Sequence, residues 1–360
     1  MSYGFRDRLV NDTDRRTWYG AALLLLVVAP FVLPPFQVTL LTEVLVFAIF
    51  ATAFNLLYGY TGLLSFGHAM FLAVAGYTVA KVVQVVAPAL NFAGIFGGAS
   101  VLVTFVVAVI LGVIAATLLA IFVGYLSVQL TEIYFALITL SFSMAIYFIA
   151  LQSIIVNTNG SDGLTFLLGD VNLFGFEFTL MNIRYPLVYY FIVLLFFVGA
   201  LYALWRVVQS PFGMVCRAIR ENPDRAEAMG IDVTRHSWYT FIVSGAFSGL
   251  AGTLLIPLLT NVNPGQAHWT TSAEPVIMTV IGGPYSFLGP VAGAFTYRYL
   301  RWGISRVPAL EAHWQLFMGL LILIVVLFFN QGVAGGLARV REWVVEGANG
   351  QTGTEAEKAD

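Results

Sequence analysis

Between Val101 and Leu126 the chain reads VLVTFVVAVILGVIAATLLAIFVGYL, without one charged side chain. A helix crosses the hydrocarbon of a bilayer with about 20 apolar residues, and this stretch is long enough. Its apolar residues are continuous rather than alternating, which argues for a spanning helix and against a barrel strand. It lies inside a longer charge-free run, Val82–Thr131, that must hold more than one element; Pro88 and the Gly-rich Gly94–Gly98 read as an external turn before it. Outward from there the pattern repeats. Thr17–Thr42, Val44–Ala80, Ile133–Ser161, Tyr185–Trp205, His236–Ala273, Pro275–Tyr297 and Ala312–Ala338 contain no Asp, Glu, Lys or Arg.

Composition agrees. Of 360 residues, 59% are hydrophobic and 10% charged, 17 basic and 19 acidic, where a soluble domain carries about 25% charged residues. So few charges cannot clothe a water-facing surface, which speaks against a soluble enzyme, a nucleic-acid binder or a disordered chain. The single cysteine, Cys216, rules out an intramolecular disulfide and reads as a small packing residue.

The runs place helices near 18–35, 38–58, 62–86, 99–124, 131–152, 186–206, 237–259, 273–284, 286–306 and 314–331. The expected class is an all-α polytopic membrane protein with about ten crossings, or about eight if short segments do not span. The segment 273–284 is short, ends in Gly282-Gly283-Pro284 and reads as a half-helix or a crossing. Arginines orient the chain by the positive-inside bias. Arg6, Arg8, Arg15 and Arg16 in the arm 1–17, Arg206, Arg217, Arg220, Arg225 and Arg235 in the loop 206–236, and Arg339 and Arg341 in the tail 336–360 belong on the cytoplasmic side with both termini. The loop 153–185, with Asp162, Asp170 and Glu177 against Arg184, is expected outside. Arg298, Arg301 and Arg306 fit this scheme poorly, because it puts them toward the outer end of their helix. The membrane domain then covers 18–335. No cleavable leader is seen, and the acidic tail reads as solvated and disordered.

The chain has no G-x-x-x-x-G-K-[ST], G-x-S-x-G or H-E-x-x-H motif, and His68, His236, His268 and His313 are scattered. No bound nucleotide, cofactor, metal or catalytic residue is expected, and no chemistry on a substrate. Three segments stand out instead. In 206–236, Phe212, Val215, Cys216 and Ile219 form an apolar helical stripe. After it, Asn222 is a good N-cap, Pro223 a good first helical residue, Asp224 suits the positive helix end, and Gly230 is a C-terminal stop. Ala226, Glu227 and Ala228 lie on the two-turn helix so delimited, which is read as a docking helix for a cytosolic partner or as a surface helix of the chain itself. In Gly59–Ala69, the residues Gly59, Thr61, Gly62, Ser65, Phe66, Gly67 and His68 fit either tight helix packing or a broken element lining a solute path. In Ile281–Pro290, Gly282, Gly283, Gly289 and Pro290 read as a structural or gating turn.

These three segments, with Asn159-Gly160-Ser161-Asp162-Gly163-Leu164, resemble in content and order the LivM-type permease family over about residues 38–335. That family supplies membrane subunits of ABC importers for branched-chain amino acids, with close relatives serving urea and amides. The resemblance implies an ABC importer permease in the cell (inner or plasma) membrane. It implies a second permease as heterodimer partner, two ATP-binding subunits that consume the ATP, and an extracytoplasmic solute-binding protein, which the loop 153–185 would contact. Asn222, Pro223, Arg225, Ala226, Glu227, Ala228 and Gly230 then form the segment that docks on the ATPase. The alternatives are a urea or short-chain amide permease and, from another class, a self-sufficient secondary transporter. The latter needs an intramembrane relay of ionisable groups, for which Glu43, His68, Lys81 and Glu132 lie at plausible depth.

Overall fold

The computed structural model describes residues 20–130, 132–154, 157–167, 169–173, 176–179 and 186–306, with 316, 319, 320 and 323 beyond them. The arm 1–17, the tail 336–360 and nearly all of the helix expected over 314–331 lie outside the described residues.

A short apolar helix, α1 (Gly20–Val32), leads through Leu33 and Pro34 into α2 (Pro35–Thr61). Proline at the first position of α2 costs no hydrogen bond, because that N–H would be unpaired in any case. At the other end Gly62 takes φ +85°; its N–H donates to the Tyr58 carbonyl (3.1 Å) and that of Leu63 to the Leu57 carbonyl (3.3 Å). This is the αL variant of the Schellman closure, and a left-handed glycine makes it possible. In its most apolar 18-residue window α2 is 94% buried, against 33% for the helical stretch Phe92–Ser127. Both are apolar on every face, so the first is enclosed by protein and the second is left for another apolar medium.

The chain continues through α3 (His68–Lys81), extended by a π-helical turn Val82–Val86, then α4 (Ser100–Ser127), α5 (Glu132–Leu151), α6 (Leu187–Gln209), α7 (Pro211–Glu221), α8 (Pro223–Ala228), α9 (Val233–Leu259), α10 (Trp269–Gly282) and α11 (Gly289–Ser305). Among the described residues six helical stretches are long and apolar enough to cross a membrane: α2, α3 with its extension, α4 with the turns before it, α5, α6 and α9. α6, α9, α10 and α11 pack on α2, while α3 and α4 pack on α9. The α4–α9 contact is made by small residues. Gly245 meets Ala120, and Gly249 meets Ala116, where any side chain would hold the backbones apart.

Three expectations are corrected. The helix expected over 62–86 begins only at His68, because Gly62 ends α2 and the chain stays non-helical through Gly67. The turn expected at Gly94–Gly98 is itself helical (Phe92–Phe96, then Gly97–Ala99), started by Asn91, whose side chain accepts from the Gly94 N–H at 3.2 Å. The chain is also not purely helical. β1 (Leu164–Thr165) pairs antiparallel with β4 (Asn261–Val262), and β2 (Asp170–Leu173) with β3 (Phe176–Thr179). These strands satisfy backbone groups of a segment that no helix carries.

Contacts define two ends of the bundle. At one, the 206–236 loop touches the end of α2 and the α10–α11 turn; at the other, Lys81 donates to the Asn157 carbonyl, Gln84 to the Thr165 carbonyl at 3.1 Å, and β1 meets β4. α10 has 14 residues, or about 21 Å of helix, too short for the hydrocarbon core. It doubles back as α11, and the two pack backbone to backbone: a Cβ on Gly293 would overlap the Met278 carbonyl oxygen.

An ion-pair chain fixes this hairpin on α2. Arg298 Nη1 meets Glu43 Oε1 at 3.1 Å and its Nη2 meets Glu274 Oε2 at 3.5 Å; Arg301 Nη1 reaches Glu274 Oε1 at 3.3 Å. The Arg298 side chain is 8% exposed and lies 3.5 Å over the Phe47 ring. Arg306 stacks on Trp302, 4.8 Å from its centroid. The arginines that fitted the orientation scheme poorly are thus matched by carboxylates or a ring.

Removing Arg298 leaves the partly buried Glu43 without its cation and Glu274 with Arg301 alone. Arg298→Met should lower the unfolding free energy by about 3 kcal/mol or more, the usual result of breaking one side of a buried pair. Adding Glu43→Gln and Glu274→Gln to the same chain should recover most of that loss. Thermal unfolding of the purified protein in detergent reads both; a triple variant no more stable than Arg298→Met would show that charge pairing is not what holds the hairpin.

Candidate coupling site and helix break

α8 forms as its sequence demands. The Asn222 side chain accepts the Arg225 N–H at 2.8 Å, Pro223 opens the helix, and Gly230 closes it at φ +87°. The Ile231 N–H returns to the Ala226 carbonyl at 3.2 Å, another Schellman closure. Only Ala226 is buried; Asn222, Pro223, Arg225, Glu227, Ala228 and Gly230 are exposed, and Met229 is 69% exposed. So α8 offers almost its whole surface outward, held by one alanine and by the Asn222 cap shared with α7.

α7 lies inward of it. Cys216 and Ile219 of the apolar stripe are buried, with Phe212 and Val215 half-buried. The Cys216 thiol sits 3.4 Å from both His236 Nε2 and Thr240 Oγ1, and burial pushes its pKa up, so it is an inert packing thiol. From the polar side of α7, Arg217 donates to the Val208 carbonyl at 2.8 Å. Arg220 donates to the Gly59 carbonyl, stacks 4.4 Å over Tyr285, and lies with its Cγ 3.4 Å from where a Gly62 side chain would begin. Gly59 in turn abuts the Pro284 carbonyl, where a Cβ would overlap it. One arginine therefore joins all three segments singled out in the sequence. A cleft of about 340 Å³ opens among Tyr60, Arg217, Arg220, Glu221 and Tyr285. The sequence reading counted Arg220 only as a positive charge. Its i+4 spacing from Cys216 puts it beside the buried stripe, and nothing local signals a partner 161 residues away.

Beyond Gly62 the chain runs without helix to His68. Thr61, Ser65 and Gly67 are buried; Gly62 and Phe66 remain partly exposed. The Ser65 hydroxyl accepts the Gly67 N–H at 3.2 Å, and Gly67 backs on the Thr139 carbonyl so closely that no side chain fits. His68 is fully enclosed. Its Nε2 lies 2.7 Å from Ser244 Oγ, while the Ser244 hydroxyl donates to the Ala53 carbonyl at 2.6 Å. A serine has one proton, so Nε2 of His68 carries a hydrogen and is the donor. Phe54, Phe71 and Phe241 surround the ring edge to face. Ser272 Oγ accepts the Ala69 N–H at 2.9 Å, so a hydroxyl from α10 serves as cap for α3. The expected path residues fall into two sets: His68, Ser65 and Gly67 lock the break in place, and Gly62 and Phe66 face its open side. Across from it, Gly282 and Gly289 make the backbone contact of the α10–α11 turn, with Gly283 at φ +101° and Pro290 at the start of α11.

A bundle of long apolar helices, one of them interrupted, with a short helix exposed at one end defines a multi-pass membrane protein. Residues 36–326 match the family described as branched-chain amino acid transport system / permease component, and the chain belongs to that family. It is 26% identical over 292 residues to the high-affinity branched-chain amino acid transport system permease protein LivM of Salmonella typhimurium, covering 76% of this chain and 65% of the relative. A probable LivM of Methanocaldococcus jannaschii is 24% identical over 277 residues, 69% of this chain and 75% of the relative. A probable LivH of the same organism is 32% identical over 126 residues, 35% of this chain. The chain thus spans a little under two thirds of the length of the Salmonella protein. No solved structure matches it with significance.

At Gly230 nothing lies within reach of an added Cβ, so only its left-handed backbone resists substitution. Gly230→Val should cost the α8 closure about 1–2 kcal/mol. Amide hydrogen exchange should quicken by about tenfold at 226–231 while the melting temperature of the bundle stays unchanged. Unaltered exchange there would show that Gly230 does not close the helix.

Proposed function

We propose that this chain is a membrane-spanning subunit of an ABC importer that carries branched-chain amino acids inward, driven by ATP hydrolysed on partner subunits. The partners are a second permease, two ATP-binding subunits and an extracytoplasmic solute-binding protein. The chain lies in the cell membrane with about eight to ten crossings, both termini and the loop 206–236 in the cytoplasm, and the loop 153–185 outside against the binding protein. It binds no cofactor and performs no chemistry on the solute. Family membership and the names of the relatives support the substrate class. The single observation that carries the mechanism is Arg220, tied at once to the Gly59 carbonyl and the Tyr285 ring.

The mechanism follows from that attachment. Closure of the ATP-binding subunits displaces α8, and the shared Asn222 carries the displacement to α7. Arg220 then pulls the end of α2 and the α10–α11 turn together. The contacts being pulled are made by Gly59, Gly282 and Gly289, which have no side chains to interlock, so the pieces slide with little resistance from packing. The non-helical 62–67 segment absorbs the change without breaking helical hydrogen bonds, and a path opens along Gly59, Thr61, Gly62, Ser65 and Phe66. Ionisable groups of the bundle do not supply an ion relay on this reading: Glu43 and Glu274 are engaged by Arg298, and His68 is bonded to Ser244.

Two variants separate docking from transmission in proteoliposomes carrying the whole importer. Glu227→Lys reverses charge on the exposed face of α8 and should weaken association of the ATP-binding subunits. Arg220→Ala should leave association intact, yet lower leucine uptake at least tenfold and abolish stimulation of ATP hydrolysis by the loaded binding protein, as expected for a charge-assisted contact. Leucine accumulation by this chain without ATP-binding subunits would overturn the proposal in favour of a secondary transporter.

A further inference from the structure

At the end of the bundle opposite α8, a cavity of about 390 Å³ lies between α3 and the β1–β4 ribbon. Its size falls within the range of small-molecule sites, which begins at about 300 Å³. Two opposite charges line it, Lys81 and Asp162, together with the polar groups of Gln84, Asn157 and Thr165 and with Leu164. The chain has only two lysines, and the other, Lys358, is in the tail.

The cavity is open to solvent, with Gln84, Asn157, Asp162 and Thr165 exposed, and two features distinguish it. First, the two charges form no ion pair with each other, although they share its walls. The Lys81 ammonium donates to the Asn157 carbonyl and the Asp162 Oδ1 accepts from Ser161 Oγ at 3.4 Å. An ammonium has three donors and a carboxylate about four acceptor positions, so both retain bonding capacity toward the space between them. Second, each is held. Lys81 is the last residue of α3 before the π-helical turn Val82–Val86, a distortion common at functional sites. Asp162 ends a short 3-10 turn between the positive-φ residues Asn159 and Gly163, and Asn261 of β4 donates to its carbonyl at 3.2 Å. Pairing Asn261 with Asp162 and Thr165 fastens the loop to the bundle.

A separated cation and anion across a small polar cavity complement a molecule bearing both charges close together. We infer that this cavity is an entry site for the zwitterionic head of an α-amino acid, with Lys81 receiving its carboxylate and Asp162 its ammonium. The inference rests on the amino-acid importer reading and adds a solute-contact site on the permease itself. The cavity has little apolar wall beyond Leu164, so the head group is recognised and the side chain points away. Glycine and alanine should therefore bind within a few-fold of leucine, and aliphatic molecules with one charge or none should not.

The test is ligand-observed saturation-transfer NMR on the full chain in phosphatidylglycerol nanodiscs, with leucine as probe and isovalerate, leucinol and isovaleramide as single-charge or neutral comparisons. Leucine should give a signal that glycine displaces, and the comparisons should give none. Lys81→Met and Asp162→Asn should each weaken leucine binding about tenfold or more, the loss of one charged hydrogen bond. The double variant Lys81→Asp with Asp162→Lys restores a charge of each sign, and should recover binding relative to either single variant even if the single variants are poorly folded. Leucine binding unchanged in the single variants, no binding to the original chain, or displacement of leucine by phosphatidylethanolamine in the nanodisc would each overturn the site. Uptake by the whole importer is scored separately. Leucine transport without Lys81- and Asp162-dependent binding sinks this site and leaves the importer reading standing; an importer that carries urea and not leucine sinks that reading.

Discussion

A guanidinium inside a membrane bundle must be neutralised where it stands, and Arg298 is held by carboxylates from two other helices, Glu43 and Glu274. Unpaired, an ion in such a place costs several kcal/mol of lost hydration. Paired on both sides and laid over the Phe47 ring, it binds α2, α10 and α11 into one unit with a single relative placement. This constraint matters because α10 is too short to be held by spanning the hydrocarbon. A hairpin of short helices that relied only on apolar contact in an apolar medium would have little reason to choose one position over another. The ion pairs supply that choice in one half of the hairpin, and the glycine contact between Gly59 and Pro284 supplies a second, softer attachment at the turn.

The contrast between the two attachments gives the fold its mechanical sense. Charged hydrogen bonds resist separation, since each partner left behind would be a buried ion. Backbone contacts through glycine depend on shape alone and can shift without leaving any group unsatisfied. Arg220 acts on the second kind: it holds the Gly59 carbonyl in the last turn of α2, beside the stop at Gly62. Motion entering at α7 therefore meets compliance at the 59–67 and 281–290 segments, and rigidity farther along the hairpin. A hinge with a fixed far end is the geometry of a gate.

Much of this was legible in the sequence, and the boundary follows the range of the interactions. The ends of α8 were readable because an Asn N-cap, a first-turn proline and a left-handed glycine act over three or four residues. Spanning helices were readable because a bilayer imposes length and hydrophobicity on each one separately. The start of α3 was misplaced by six residues, because a glycine stop followed by apolar residues looks like continuing helix, and the cap that ends the break comes from Ser272, 203 residues away. For His68 the sequence leaves tight packing and a solute path both open, and its bond to Ser244, 176 residues away, lies beyond local inspection. Glu43 and Glu274, the lone charges separating long apolar runs, were visible as anomalies; that they share one arginine was not, although solitary charges of opposite sign in a membrane protein have few options but each other.

α3 links the two polar ends. Its first residue, His68, is locked in mid-bundle by Ser244, and its last α-helical residue, Lys81, reaches the cavity at the far end. Its 14 residues make a rod of about 21 Å. The helix is packed along α9 closely enough that Gly252 backs on the Leu72 carbonyl, so it cannot bend to absorb displacement along its length. The π-helical turn begins directly after Lys81, where an i→i+5 bonding pattern is more easily rearranged than the α-helix before it. The part of a displacement that the 62–67 break does not absorb would reach Lys81, relative to an Asp162 that is anchored to β4 by Asn261. On the proposed mechanism the separation of the two charges would follow the state of the break, which is what coupling between the proposed amino-acid site and the proposed gate requires: a site whose affinity differs between two arrangements of one rigid element.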